Sequence, residues 1–149
     1  MEQTAVGLGP ATSSMHTSVP ILGAMGITVL HGDASRASVL LPLTPNSNHL
    51  GTIYAGSLMS AAECLGGSIG FGQGLDGFVP LVTRVEIDYL RPATTDVTAS
   101  TTFSPDHQAT LREDALRDGK ARYVLHISLT DAHGVEVARA VGQYQLRKF

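Results

Sequence analysis

The chain has 149 residues, 43% hydrophobic and 15% charged, a composition that suits one domain with a real core and not a disordered segment. A formal net charge of −3 and the lack of a long basic run give no reason to expect nucleic-acid binding. The single Cys64 rules out an intrachain disulfide, and no apolar run reaches the roughly 20 residues needed to span a bilayer. No basic segment leads into an apolar core near the start, so the expected compartment is the cytoplasm.

Residues 1–18 are rich in Gly, Ser, Thr and Ala without a periodic apolar face. They read as a flexible N-terminal arm, dispensable for folding up to about Thr12. Residues 19–149 read as a single domain. Val19–Met25 suits a short helical turn, and GITVLHG and SRASVLLPL suit two strands joined by the turn HGDAS. After the loop TPNSN, the stretch NHLGTIYAGSLMSAAECLGG holds the long helix. Leu58, Ala62, Leu65 and Ile69 recur there at i, i+4, i+7 and i+11. The other faces are small, and a helix without a charged face is buried all round. PLVTRVEIDYLRP alternates, with Leu81, Thr83, Val85, Ile87 and Tyr89 on one face and Arg84, Glu86 and Asp88 on the other. DVTASTTFS is the next strand. SPDHQATLREDALRDG offers Ser104 as helix cap, Pro105 at the first helical position and Gly119 as stop. ARYVLHISLTD and VEVARAVGQYQLRK form a final hairpin. The order β-β-α-β-β-α-β-β, one central helix with about six antiparallel strands, is an α+β layout.

One residue breaks the pattern. Glu63 is the only Asp, Glu, Lys or Arg between Ala37 and Leu75. A carboxylate in apolar surroundings loses hydration, which favours its neutral form and raises its pKa toward the working pH of a general base. On a helical wheel Gly56, Met59, Ser60, Gly66, Gly67 and Gly70 lie near it. They leave a slot for an acyl chain or pantetheine arm, or else serve tight helix-to-sheet packing. The helix start presents N–H groups without intrahelical partners. Cys64 reads as a small core residue, since no His lies close in sequence to activate it. The His residues show no metal-ligand spacing, and there is no phosphate-binding Gly-Lys motif.

With NHLGTIYAGSLMSAAE, IDYLRPA and TDAHGVEVARA in this order, the chain resembles hot-dog-fold acyl-thioester hydrolases from Ile21 to Leu146, nearest the YiiD C-terminal and PaaI-like thioesterase groups. Their pattern runs Asn, two residues, Gly, two residues, His-Gly-Gly, then an acid on the helix. Asn48, Gly51, Gly56 and Glu63 match it, and Tyr54-Ala55 stands where His-Gly is common. The resemblance implies a sheet wrapped around the central helix and hydrolysis of an acyl-coenzyme A or acyl-carrier-protein thioester. It implies Glu63 as general base or nucleophile, Asn48 as the orienting group, and the Ala55 and Gly56 N–H groups as oxyanion donors. His49, Gly51, Tyr54, Met59, Ser60 and Gly67 are the candidate substrate contacts. No metal or redox cofactor is implied; coenzyme A or phosphopantetheine enters as part of the substrate. Arg84, Arg91, Arg122, Arg139, Arg147 and Lys148 are the cations from which phosphate contacts would come. A hydratase or dehydratase using His49 and Glu63, and an acyl-binding protein without chemistry, are the alternatives. The long strand LVTRVEIDYL invites edge pairing. The resemblance implies that it pairs across a two-fold axis, so that Asn48 and Glu63 of one site come from different chains. A dimer of dimers would follow from further association.

Overall fold

A computed structural model describes residues 9–68 and 75–149. Its strands are β1 (Thr28–Gly32), β2 (Arg36–Leu41), β3 (Phe78–Tyr89), β4 (Val97–Thr102), β5 (Lys120–Asp131) and β6 (Glu136–Lys148). They form one antiparallel sheet in the order β1-β2-β4-β5-β6-β3. In β5, Ala121, Tyr123, Leu125, Ile127 and Leu129 are buried while the residues between them face outward. That alternation is what a sheet with one covered face requires. The expected α+β layout of a central helix against about six strands is the one observed.

The covering element is the helical path α4 (Ala55–Glu63) and α5 (Leu65–Ser68), which turns at Cys64. Leu58, Ala61, Ala62 and Leu65 are buried on it against the inner face of the sheet. Full burial of each leucine is worth about 1.5–3 kcal/mol. The expected fourth member of this face, Ile69, lies outside the described residues, as does Gly70.

The amphipathic helix α6 (Pro105–Asp118) begins and ends where its sequence signals fall. The Ser104 hydroxyl accepts from the His107 N–H at 3.2 Å, Pro105 opens the first turn, and Gly119 leaves the helix at φ 72. At the β1–β2 turn, Asp33 accepts from the N–H groups of Ser35 and Arg36 and from the Ser35 hydroxyl. Between β2 and α4, the four-residue helical segment α3 (Leu43–Asn46) precedes an irregular loop.

Two expectations change. Pro10–Ser18 is not a loose arm but a helix, α1, followed by the short α2 (Pro20–Ala24). Thr12 is buried, and its hydroxyl accepts from the Val29 N–H at 2.9 Å. His16 Nε2 bonds the Ile27 carbonyl at 2.6 Å. A truncation through Thr12 therefore removes a buried contact to β1. The signal was polar: anchoring by side-chain hydrogen bonds leaves no apolar periodicity to read. The second change is in β3. Its register against β6 slips between Val82 and Arg84, a bulge. A bulge inserts one residue and reverses which side chains face inward. Pro80 and Val82 therefore face the helix side before it, while Ile87 packs on the core after it. The expected inward run of Leu81 and Thr83 is turned out.

Candidate active site

The two ends of α4 are built differently. At its start, the loop from Asn48 is held by its own side chains. The Asn48 carbonyl oxygen accepts from the N–H groups of Leu50 (2.9 Å) and Thr52 (3.2 Å), while its amide lies 2.9 Å from the Thr52 hydroxyl. Gly51 takes φ 76, open to glycine without strain. Ile53 donates to the Ala93 carbonyl and Tyr54 to the Asn46 carbonyl, which fixes the entry into the helix. No side chain caps this start. Among the described residues no acceptor meets the N–H groups of Ala55 and Gly56. Tyr89, at the end of β3, donates its hydroxyl to the Ala55 carbonyl at 3.0 Å and ties the helix start to the sheet edge. Asn48, His49 and Tyr54 border one cavity of about 510 Å³ beside this start.

At the other end, Glu63 is the last residue of α4, about 10 Å along the axis from Gly56 at 1.5 Å per residue. Its backbone carbonyl accepts from the Tyr144 hydroxyl at 2.9 Å, and the Gly66 carbonyl accepts from the Tyr123 hydroxyl at 3.0 Å. The two rings are stacked with centroids 5.1 Å apart. Carbonyls at a helix turn lack intrahelical partners, and this tyrosine pair supplies them from the floor of the sheet. Burial pushes both hydroxyls up, so they stay protonated donors. The arrangement depends on two glycines. A Cβ on Gly66 would lie 2.0 Å from a Tyr144 ring carbon, and one on Gly142 would lie 2.5 Å from another.

The Glu63 side chain is half-buried and borders a cavity of about 580 Å³ together with Ser60, Cys64, Gly67, Ser68 and Tyr144. Val29, Pro80 and Val82 add apolar wall from the sheet, and α1 and α2 close the far side. Among the described residues nothing bonds to the carboxylate. Burial raises its pKa above the ordinary 4.5. The neighbouring Cys64 thiol is pushed up to about 12, by burial first and by Glu63 second. It is a poor nucleophile there.

A family model described as "domain of unknown function (DUF4442)" matches residues 11–146. The chain belongs to this family. No curated protein matches it. Among solved structures, a Pseudomonas aeruginosa protein described as of unknown function and a probable thioesterase is 28% identical. The alignment covers 93% of this chain and 94% of that one, with a TM-score of 0.84. A Shewanella oneidensis protein described as a candidate thioesterase is 25% identical over 92% and 94% of the chains, TM-score 0.79. The Escherichia coli PaaI protein of the phenylacetic acid degradation operon is 22% identical over 90% and 93%, TM-score 0.65, and shows the fold. This DUF4442 chain has the hot-dog fold of the PaaI-like group, and two of these neighbours are described as a probable and a candidate thioesterase.

Within one chain six of the predicted site residues, Glu63 among them, divide between two cavities. Ser60 and Gly67 share the Glu63 cavity; Asn48, His49 and Tyr54 share the other. Met59 is 39% exposed and borders neither. Gly56 lies under the Tyr54 ring, Gly66 serves packing against Tyr144, and Gly67 meets open space. Of the named cations, Arg84 and Arg139 are ion-paired with Glu86 and Glu136. Sequence reasoning missed the tyrosine brace and the α1 wall. The spacing of Tyr123 and Tyr144 along two paired strands was the available signal, since β5 and β6 set them in register. Among the described residues no group of three or more His, Cys, Asp and Glu side chains is placed to hold a metal. No described helix is long and apolar enough to cross a membrane.

Proposed function

We propose that this protein hydrolyses an acyl thioester of coenzyme A or of an acyl carrier protein, with Glu63 as general base or nucleophile. The observation that carries the proposal is the half-buried Glu63 carboxylate, which has no bonding partner among the described residues and is the only charged group among the described residues that line its cavity. Its likeness to a probable thioesterase at 28% identity supports the same chemistry. As base, Glu63 takes a proton from water as the water oxygen attacks the thioester carbonyl carbon. The carbon–sulfur bond then breaks, and the proton passes to the leaving thiolate. As nucleophile, the carboxylate attacks the carbonyl carbon and the carbon–sulfur bond breaks to release the thiolate; water then opens the acyl anhydride, giving the free acid, the regenerated carboxylate and a proton for the thiolate. The N–H groups of Ala55 and Gly56, which meet no acceptor among the described residues, have the character needed to stabilise the oxyanion.

Those donors and Glu63 lie at opposite ends of one α4, so a single chain does not aim both at one carbonyl. We therefore propose a homodimer, in which the helix start and Asn48 loop of one chain meet Glu63 of its partner. β3 is an outer strand of the sheet with Val79, Leu81 and Val82 exposed, which fits pairing along that edge. Asn48 would act mainly by holding the loop, since its carbonyl oxygen already accepts locally. A homodimer that carries the Asn48 loop to the partner's Glu63 carries His49 with it, so product identity is what separates hydrolysis from the dehydratase alternative.

The test is a mixed panel of acyl-coenzyme A and acyl-carrier thioesters with products identified by mass. Free acid and free thiol are expected. An altered acyl group with the thioester intact would overturn hydrolysis, and saturable binding without turnover would leave an acyl-binding protein.

A further inference from the structure

We infer that α1 is the wall that sets acyl selectivity in the Glu63 cavity, with Ser14 and Met15 as the specificity-determining residues for an uncharged, apolar acyl group. The inference rests on the acyl-thioester reading above and adds to it which part of the chain reads the acyl group and what that group is. Ala11, Ser14, Met15 and Ser18 all line the cavity. They stand at i, i+3, i+4 and i+7, a single helix face about 10 Å long. Three of the four are small, so this face leaves space instead of filling it. Met15, half-buried against the core, is the one bulky side chain among them.

This wall is fixed in place. The buried Thr12 hydroxyl accepts from the Val29 N–H, and His16 Nε2 bonds the Ile27 carbonyl. One bond runs to β1 and the other to Ile27 just before it, and Val29 itself lines the cavity. A change of side chain at Ser14 or Met15 therefore changes cavity size without freeing the helix.

Charge decides the class of ligand. Among the described residues lining the cavity, Glu63 is the only ionisable carboxylate and there is no Lys, Arg or His. Met15, Val19, Ile21, Leu22, Val29 and Val82 are apolar. An acyl group with a terminal carboxylate would find no cation and would face Glu63, whereas a hydrocarbon acyl group loses only water. The volume, about 580 Å³, is within the roughly 300–1,000 Å³ of small-ligand sites.

The experiment compares the full chain with Ser14→Phe and Met15→Ala. The probes are straight-chain acyl-coenzyme A thioesters from butanoyl to hexadecanoyl, plus glutaryl-coenzyme A. Turnover is read as kcat/KM, and affinity is read by calorimetry with each substitution also placed in a Glu63→Gln background. Ser14→Phe should move the preferred length shorter and Met15→Ala longer, each changing the long-to-short ratio about tenfold or more. Glutaryl-coenzyme A should be disfavoured against hexanoyl-coenzyme A by at least about tenfold. Unchanged length profiles in both well-folded variants, or equal use of the glutaryl thioester, would overturn the inference. If the native chain turns over none of the series but binding profiles still shift, the α1 wall stands and hydrolysis falls. If binding profiles do not shift either, the α1 wall falls as well.

Discussion

The two ends of α4 face opposite chemical problems. At Ala55 and Gly56 the helix begins with N–H groups left uncapped beside an exposed tyrosine and a loop that bonds to itself. At Glu63 the helix ends on carbonyls satisfied by two buried, stacked tyrosines, with the acid directed into a cavity. The start offers positive dipole and donors with no acceptor among the described residues; the end offers a carboxylate with a raised pKa and a rigid backbone. Under the proposed hydrolysis, neither end is a site alone. About 10 Å of helix keeps them apart, and that distance is the reason a second copy is invoked.

The largest effect should come from removing the base. Glu63→Gln keeps the side-chain volume and should lower turnover about 100- to 10,000-fold with little change in substrate affinity. Full activity in a folded variant would remove Glu63 from the mechanism. The pH dependence adds a sign. Because burial raises the Glu63 pKa above 4.5, the fold disfavours the charged form. That penalty is absent in acid below the unfolded value and is fully present above the folded one. The melting temperature of Glu63→Gln should thus match the native chain in acid and equal or exceed it at neutral pH. The kcat/KM profile should rise through an inflection above 4.5.

Ala55→Pro tests the other end. Proline is favoured at the first helical position and removes one of the two N–H groups proposed to bind the oxyanion. Activity should fall about 100- to 1,000-fold with melting temperature held. Mixing this variant with Glu63→Gln and allowing subunits to exchange should restore part of the activity, since one mixed site would carry both intact ends. No recovery despite proven exchange would place both ends of a working site in one chain and break the comparison.

The brace at the acid end predicts effects on stability. Gly66→Ala gains roughly 1 kcal/mol of helix propensity. It nevertheless puts a methyl 2.0 Å from the Tyr144 ring, and overpacking of this kind costs about 1–3 kcal/mol or more. Net destabilisation in urea titration is expected; a stabilised variant would mean the helix can move off the sheet freely. Smallest of all, Tyr144→Phe removes the donor to the Glu63 carbonyl and should cost about 1 kcal/mol by the same titration. A neutral result would assign the helix turn to the glycines alone.

The order of elements, the α6 caps and the isolation of Glu63 were legible in the sequence, because each rests on local signals. Alternation marks strands, Ser-Pro and Gly mark helix ends, and a lone charge in an apolar run stands out wherever it folds. The match of Asn48, Gly51, Gly56 and Glu63 pointed to the hot-dog fold for the same reason. What the sequence could not give is partnership across distance. The β3 bulge appears only against β6, where a one-residue slip changes which side chains face Glu63. Gly66 and Gly142 look like flexible positions until Tyr144 is placed between them. The α1 segment looked loose because Thr12 and His16 hold it by hydrogen bonds to Val29 in β1 and to Ile27 just before it, contacts that carry no periodicity. Asn48 and Glu63 belong to one motif yet border separate cavities, since a straight helix carries its two ends apart however close they stand in the motif.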